Sequence, residues 1–195
     1  MVITAPVRLS HPTQRLGGIA GLLGAAVLVV NAAKRAEVIP ASALTQLLAP
    51  LAEVFALALV TVLYLVCEPR LGRFGRVAFV VNYLALGALV GVEFVINLVF
   101  SRLDAGQIAE LRSGPLGTAL TVASVLFLLG TLGFAAALLP AALPPRGALI
   151  LYALGSVPVS LRAFVPEPVL DVSLIVLAGG VAWLAVWLLN ADRDR

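Results

Sequence analysis

The chain has 195 residues, of which 62% are hydrophobic and only 12% charged, with a mean hydropathy of +1.10. A soluble domain carries about 25% charged residues, so this surface is too apolar for water and lipid must cover part of it. The formal charge of +3 and a pI near 9.6 do not make it a nucleic-acid binder, because the basic residues are scattered through short segments without a continuous stripe.

Scarce residues narrow the chemistry further. Cys67 is the only cysteine and His11 the only histidine, so an intrachain disulfide, a cysteine-based metal site and multi-imidazole haem or zinc are excluded. No metal or cofactor is expected. All basic residues except Lys34 are Arg, a skew that suits a GC-rich bacterial genome.

The first apolar stretch, 16–33, follows a basic lead of Arg8 and Arg15. Its length and the five apolar stretches after it make it an uncleaved first helix rather than a signal peptide. Gly17, Gly21, Gly24, Leu28 and Asn31 recur at a 4-3-4-3 spacing and form one stripe, of the kind that lets helix backbones approach closely in lipid.

The second stretch, 47–67, begins near Pro50, which places Glu53 in the first turn. There the exposed amides and the helix dipole favour a carboxylate without any ligand. Glu68 to Arg73 separates it from the third stretch, 77–100. That stretch holds Glu93, eight residues before Ser101 and therefore roughly 12 Å from that end at helical rise. A carboxyl at such depth normally faces a cavity or a partner. Asn97 lies one turn onward and Asn82 about three turns back, so all three share a face. Glu93 is either structural glue to a neighbouring helix or the centre of a site. Gly87 and Gly91 repeat the small-xxx-small spacing.

The fourth stretch, 116–139, carries a seam of Gly117, Thr121, Ser124, Leu128 and Thr131. The fifth, 147–163, is short, contains Pro158 as a point of kinking or re-entry, and ends on Arg162. The sixth, 169–189, follows Pro166-Glu167-Pro168. Each of the six approaches or exceeds the ~17–20 apolar residues a spanning helix needs. The expected fold is thus all-α: a single polytopic bundle of six transmembrane helices.

Basic residues in short loops set orientation. The amino terminus, second loop, fourth loop and carboxyl terminus hold Arg8, Arg15, Arg70, Arg73, Arg76, Arg146, Arg193 and Arg195. The other side holds Lys34, Arg35, Arg102, Arg112 and Arg162, accompanied by acids. Both termini are therefore expected in the cytoplasm. Asn31, Glu53, Glu93, Asn97 and Arg162 would then meet in the outer part of the bilayer, provided that their helices are neighbours. Arg162 either pairs with a carboxylate or snorkels to the surface.

Through RLGGIAGLLG, LYLVCEPRLGRFGRVAFVVN, GVEFVINLVF and LPPRGALILYALG, the chain resembles bacterial, actinobacterial-type six-span membrane proteins of unknown function over most of 15–189. The resemblance implies the six-helix architecture and no particular activity. It also implies an uncharged residue near position 93, which would make the Glu93 carboxyl peculiar to this chain or a subgroup.

The chain contains no Walker loop, His-Glu-x-x-His, Gly-x-Ser-x-Gly elbow or Asp-rich diphosphate motif. Three functions remain. An outward-facing pocket of Glu93, Asn97, Glu53, Asn31 and Arg162 would bind a small cationic or amphipathic ligand. A lipid or isoprenoid enzyme would use Glu93 as buried acid with Glu53 as its partner. An accessory subunit, or a homo-oligomer, would use the small-residue stripes to pack against another membrane protein.

Overall fold

The computed structural model describes residues 10–191, and among them every regular element is helical. The long helices are α1 (His11–Arg35), α3 (Leu51–Phe94), α5 (Pro115–Leu138) and α7 (Glu167–Ala191). Shorter ones are α2 (Ala43–Leu48), α4 (Ala105–Ser113) and α6 (Arg146–Ser160). Between α3 and α4 the chain widens into a π-helical turn, Val95–Val99, then tightens into a 3-10 turn, Phe100–Arg102. Four helical runs are long and apolar enough to cross a membrane, and α6, at 15 residues, is a shorter apolar helix. The expected basic residues Arg8, Arg193 and Arg195 lie outside the described residues.

The 44 residues of α3 are not one rod. Gly72 has φ 59° and ψ −161°, a conformation essentially reserved for glycine, and it divides α3 into arms 51–71 and 73–94. The arms fold back on each other. Tyr64 of the first stacks on Phe79 of the second with ring centroids 4.1 Å apart, and Phe79 continues to Phe134 of α5. The first arm runs through Glu68 and Pro69, which were expected to separate two spans. Pro69 lies in its last turn, so its missing amide removes one ladder bond close to an end. The turn is reduced to Gly72 itself.

The packing partners are α1 with α7 and α3, α3 with α5, α5 with α6, and α6 with α7. Neighbours in sequence are therefore neighbours in space, and the last helix returns to the first. Glycines set the closest approaches. Gly17, Gly21 and Gly24 of the expected α1 stripe face Val62, Leu59 and Phe55 of the first α3 arm. Gly130 of α5 rests on the backbone of Asn82, while Gly155 and Gly180 face each other's helices across the α6–α7 contact.

Two expected seams differ. Gly87 and Gly91 are exposed and have nothing near their Cβ positions. On α5 the buried line runs through Ala123, Phe127, Gly130, Thr131 and Phe134, whereas Thr121 is exposed. The spacing of small residues identified a stripe without giving the rotation of the helix, and bulky Phe127 and Phe134 took the inward face. The interior closes around Leu59, Leu63, Phe134, Leu138, Leu149, Leu184 and Leu188, all fully buried. Leu16, Leu84, Leu129, Leu154 and Val172 point outward, giving several helices an apolar outer face.

α6 ends at Ser160, earlier than the expected 163. Pro158 stands in its last turn and closes the helix rather than kinking its middle, with the Leu161 amide donating to Val157 and Pro158 carbonyls. Arg162 therefore sits in the turn after the helix.

Candidate functional site

A cavity of about 110 Å³ opens at the end of the bundle where α1 and α6 finish and α7 and the first α3 arm begin. Leu28, Leu86, Leu89, Phe127, Leu174, Leu177 and Val181 form its apolar walls, and Tyr152 also lines it. Its polar lining includes all five residues singled out from sequence, Asn31, Glu53, Glu93, Asn97 and Arg162, together with Lys34 and Arg35.

Glu93 is the hub. Arg162 Nη1 donates to its Oε1 at 2.9 Å, and Asn97 Nδ2 donates to its Oε2 at 2.9 Å. Side-chain exposures of 16% for Glu93 and 26% for Arg162 leave this pair poorly screened, unlike an ordinary surface ion pair. Asn97 is buried, and its Nδ2 also donates to the Glu93 backbone carbonyl at 2.9 Å. A side chain that occupies a carbonyl one turn back competes with the helical ladder, and here it coincides with the π-helical turn. Ser101 Oγ makes the same kind of bond to the Asn97 carbonyl. The widened turn thus carries the amide into the cavity wall.

From α1, Lys34 Nζ donates to Asn97 Oδ1 at 2.5 Å. This connects Lys34, Asn97, Glu93 and Arg162 in one chain of donors and acceptors. Arg35 pairs with Glu167 and lies 3.5 Å from Asp171 through Nε, tying the end of α1 to the start of α7. By sequence alone Lys34 and Arg35 are loop charges. Their position one turn beyond Asn31 was the available signal, since long side chains at a helix end reach back along the helix.

Glu53 lies in the first turn of α3, as expected. It lines the same cavity as Glu93 and Arg162. Asn31 is only 8% exposed, and its Nδ2 donates to the Ala49 carbonyl at 3.3 Å. The buried side-chain polar atoms without a hydrogen-bond partner among the described residues are Asn31 Oδ1, Glu53 Oε2, Arg162 Nη2, Arg35 Nε and Asp171 Oδ1. All five belong to this end of the bundle. The last two face each other as an ion pair; the first three do not. Native interiors leave few such atoms, so their concentration marks this cavity.

Asn82 shares the α3 face but serves elsewhere. It donates to Tyr152 Oη at 3.2 Å and accepts from Thr131 at 3.1 Å, which links α3, α5 and α6 below the cavity. Tyr152→Phe leaves the Asn82 amide without that partner, and we expect a loss of about 1–2 kcal/mol, measured by unfolding in mixed detergent. A change within ±0.3 kcal/mol, of the order of additivity error, would show that the network contributes nothing.

The arrangement defines a helical bundle compatible with a membrane, built around a charged cavity at one end. No protein-family model, curated protein or solved structure matches the chain. Among the described residues, no three His, Cys, Asp or Glu side chains converge on a metal position.

Proposed function

We propose that this chain is a six-span protein of the bacterial plasma membrane with cytoplasmic termini, binding a small cationic or amphipathic ligand in an outward-facing cavity. The six-span reading is supported by the break at Gly72, which leaves two α3 arms each of about spanning length. In it α6 crosses as a short span, which a bilayer accommodates by local thinning. The distribution of Arg residues in the short loops supports the orientation.

One observation carries the binding reading. Glu93 is held by Arg162 and Asn97 in the wall of a largely apolar cavity, where Glu53 keeps an unengaged oxygen. Small-ligand sites combine apolar walls with a few placed polar groups in this way, and intramembrane carboxylates mark ligand paths. The enzyme reading with Glu93 as acid is less well supported, because both Glu93 oxygens accept from donors in this arrangement. The exposed Gly87 and Gly91 face is the observation that favours a second reading, packing against another membrane protein or a second copy.

Glu93→Gln should lower affinity at least tenfold, equivalent to about 1.4 kcal/mol, with the chain still inserted and folded. Titration of the purified protein with a panel of small amines, amino acids and amphipathic zwitterions checks this. Unchanged affinity in the variant would end the proposal.

A further inference from the structure

The cavity presents unengaged acceptors and unengaged donors together. Asn31 Oδ1 and Glu53 Oε2 are buried acceptors without partners among the described residues, and Arg162 Nη2 is a buried donor in the same position. The Lys34 ammonium has three N–H groups, of which Asn97 Oδ1 accepts from one. Lys34 forms no ion pair among the described residues; its contact is the one to Asn97.

Charge balance narrows the ligand. Arg35 is committed to Glu167 and Asp171. By formal charge this leaves Lys34 and Arg162 against Glu53 and Glu93 in the lining, two against two. A simple cation would satisfy Glu53 and Asn31 but leave Arg162 Nη2 buried and unmatched. A simple anion would do the reverse. Each would also add a net charge where screening is poor. A dipolar head satisfies both sets and keeps the balance.

Resting on the ligand-site reading above, we infer that the ligand carries a primary ammonium and an anionic group a few atoms apart, on a short apolar body. The ammonium meets Glu53 and Asn31, and the anionic group meets Arg162 and Lys34. The apolar part lies against Leu28, Leu86, Phe127 and Leu177, which line the same cavity. An apolar α-amino acid and the head of an aminophospholipid share this chemistry.

The full chain, purified in mild detergent, is titrated with L-leucine, 3-methylbutylamine and 4-methylpentanoate, with affinity and thermal shift as readouts. L-Leucine is expected to bind at least tenfold tighter than either single-charge analogue. Glu53→Gln and Arg162→Gln should each remove that preference. Lys34→Gln, at the end of α1, serves as a third variant should either of these fail to fold. For the lipid source, leucine is silent, and nanodiscs of mixed composition show phosphatidylethanolamine retained over phosphatidylcholine, whose quaternary head donates no N–H. That preference should again vanish in Glu53→Gln. Amine binding as tight as leucine, or a preference indifferent to Arg162→Gln, overturns the dipolar ligand and leaves a cation site standing. Silence from every probe, with no lipid preference, overturns the ligand site itself.

Discussion

Replacing Arg162 by Gln is expected to destabilise the chain by about 2–4 kcal/mol, one of the two largest losses foreseen. Breaking a fully buried pair from one side costs about 3–5 kcal/mol because a charge is left behind without its partner. The lower range applies here because Arg162 keeps 26% of its side chain exposed. The orphaned group would be Glu93, which retains only Asn97 as a side-chain donor. The expected signature is a strongly non-additive cycle. Arg162→Gln combined with Glu93→Gln should recover at least half of the single-variant loss, since neither residue then leaves a charge. Unfolding of the four proteins in mixed detergent measures it. Additive effects would mean that the 2.9 Å contact carries no coupling and that Arg162 lies at the surface.

Gly155→Ala should cost about 3 kcal/mol or more, from a single added methyl group. The new Cβ would stand 2.5 Å from the Leu177 backbone nitrogen and 2.7 Å from its Cα. A side chain in the way can rotate, but a helix backbone must move as a whole, and overpacking of this kind lies at the upper end of its usual range. Gly180 makes the reciprocal contact, with its Cβ position 2.5 Å from the Tyr152 nitrogen, so α6 and α7 cannot slide apart to relieve one clash without losing the other fit. Gly179 provides the control. It is exposed, with nothing near its Cβ position, and Gly179→Ala should be neutral or stabilising by up to about 1 kcal/mol through helix propensity. Equal melting behaviour for Gly155→Ala and Gly179→Ala would contradict the α6–α7 packing.

Much of the site was legible in the sequence because depth along a helix can be counted. The 1.5 Å rise placed Asn31, Glu53, Glu93, Asn97 and Arg162 at one level, and alternation of direction brought them to one end. Adjacency was not countable. That the first α3 arm faces α1, and that the turn after α6 reaches Glu93, follows from packing rotations that periodicity leaves open. The same gap explains the misassigned seam on α5, where Phe127 and Phe134 outweigh Thr121 and Ser124, and the outward Gly87 and Gly91. Lys34 and Arg35 were missed because a charge just beyond an apolar run reads as a loop residue. Their length lets them turn inward to Asn97 and Asp171. The π-helical turn had no signal in the apolar pattern; it coincides with the bond of one amide, Asn97, to the carbonyl one turn back.

The proposed cavity opens to the non-cytoplasmic face, and thiol accessibility tests that most directly. Cys67 is fully buried, so Cys67→Ala supplies a cysteine-free background. In that background Glu53→Cys places a thiol in the cavity lining, and Arg73→Cys places one just past the opposite end of the first α3 arm, beside Gly72. Intact cells are exposed to a small, charged, membrane-impermeant thiosulfonate. The expected result is modification of Glu53→Cys from outside, with Arg73→Cys reacting only after the membrane is opened. Reaction of Arg73→Cys in intact cells, with Glu53→Cys inert, would contradict the account.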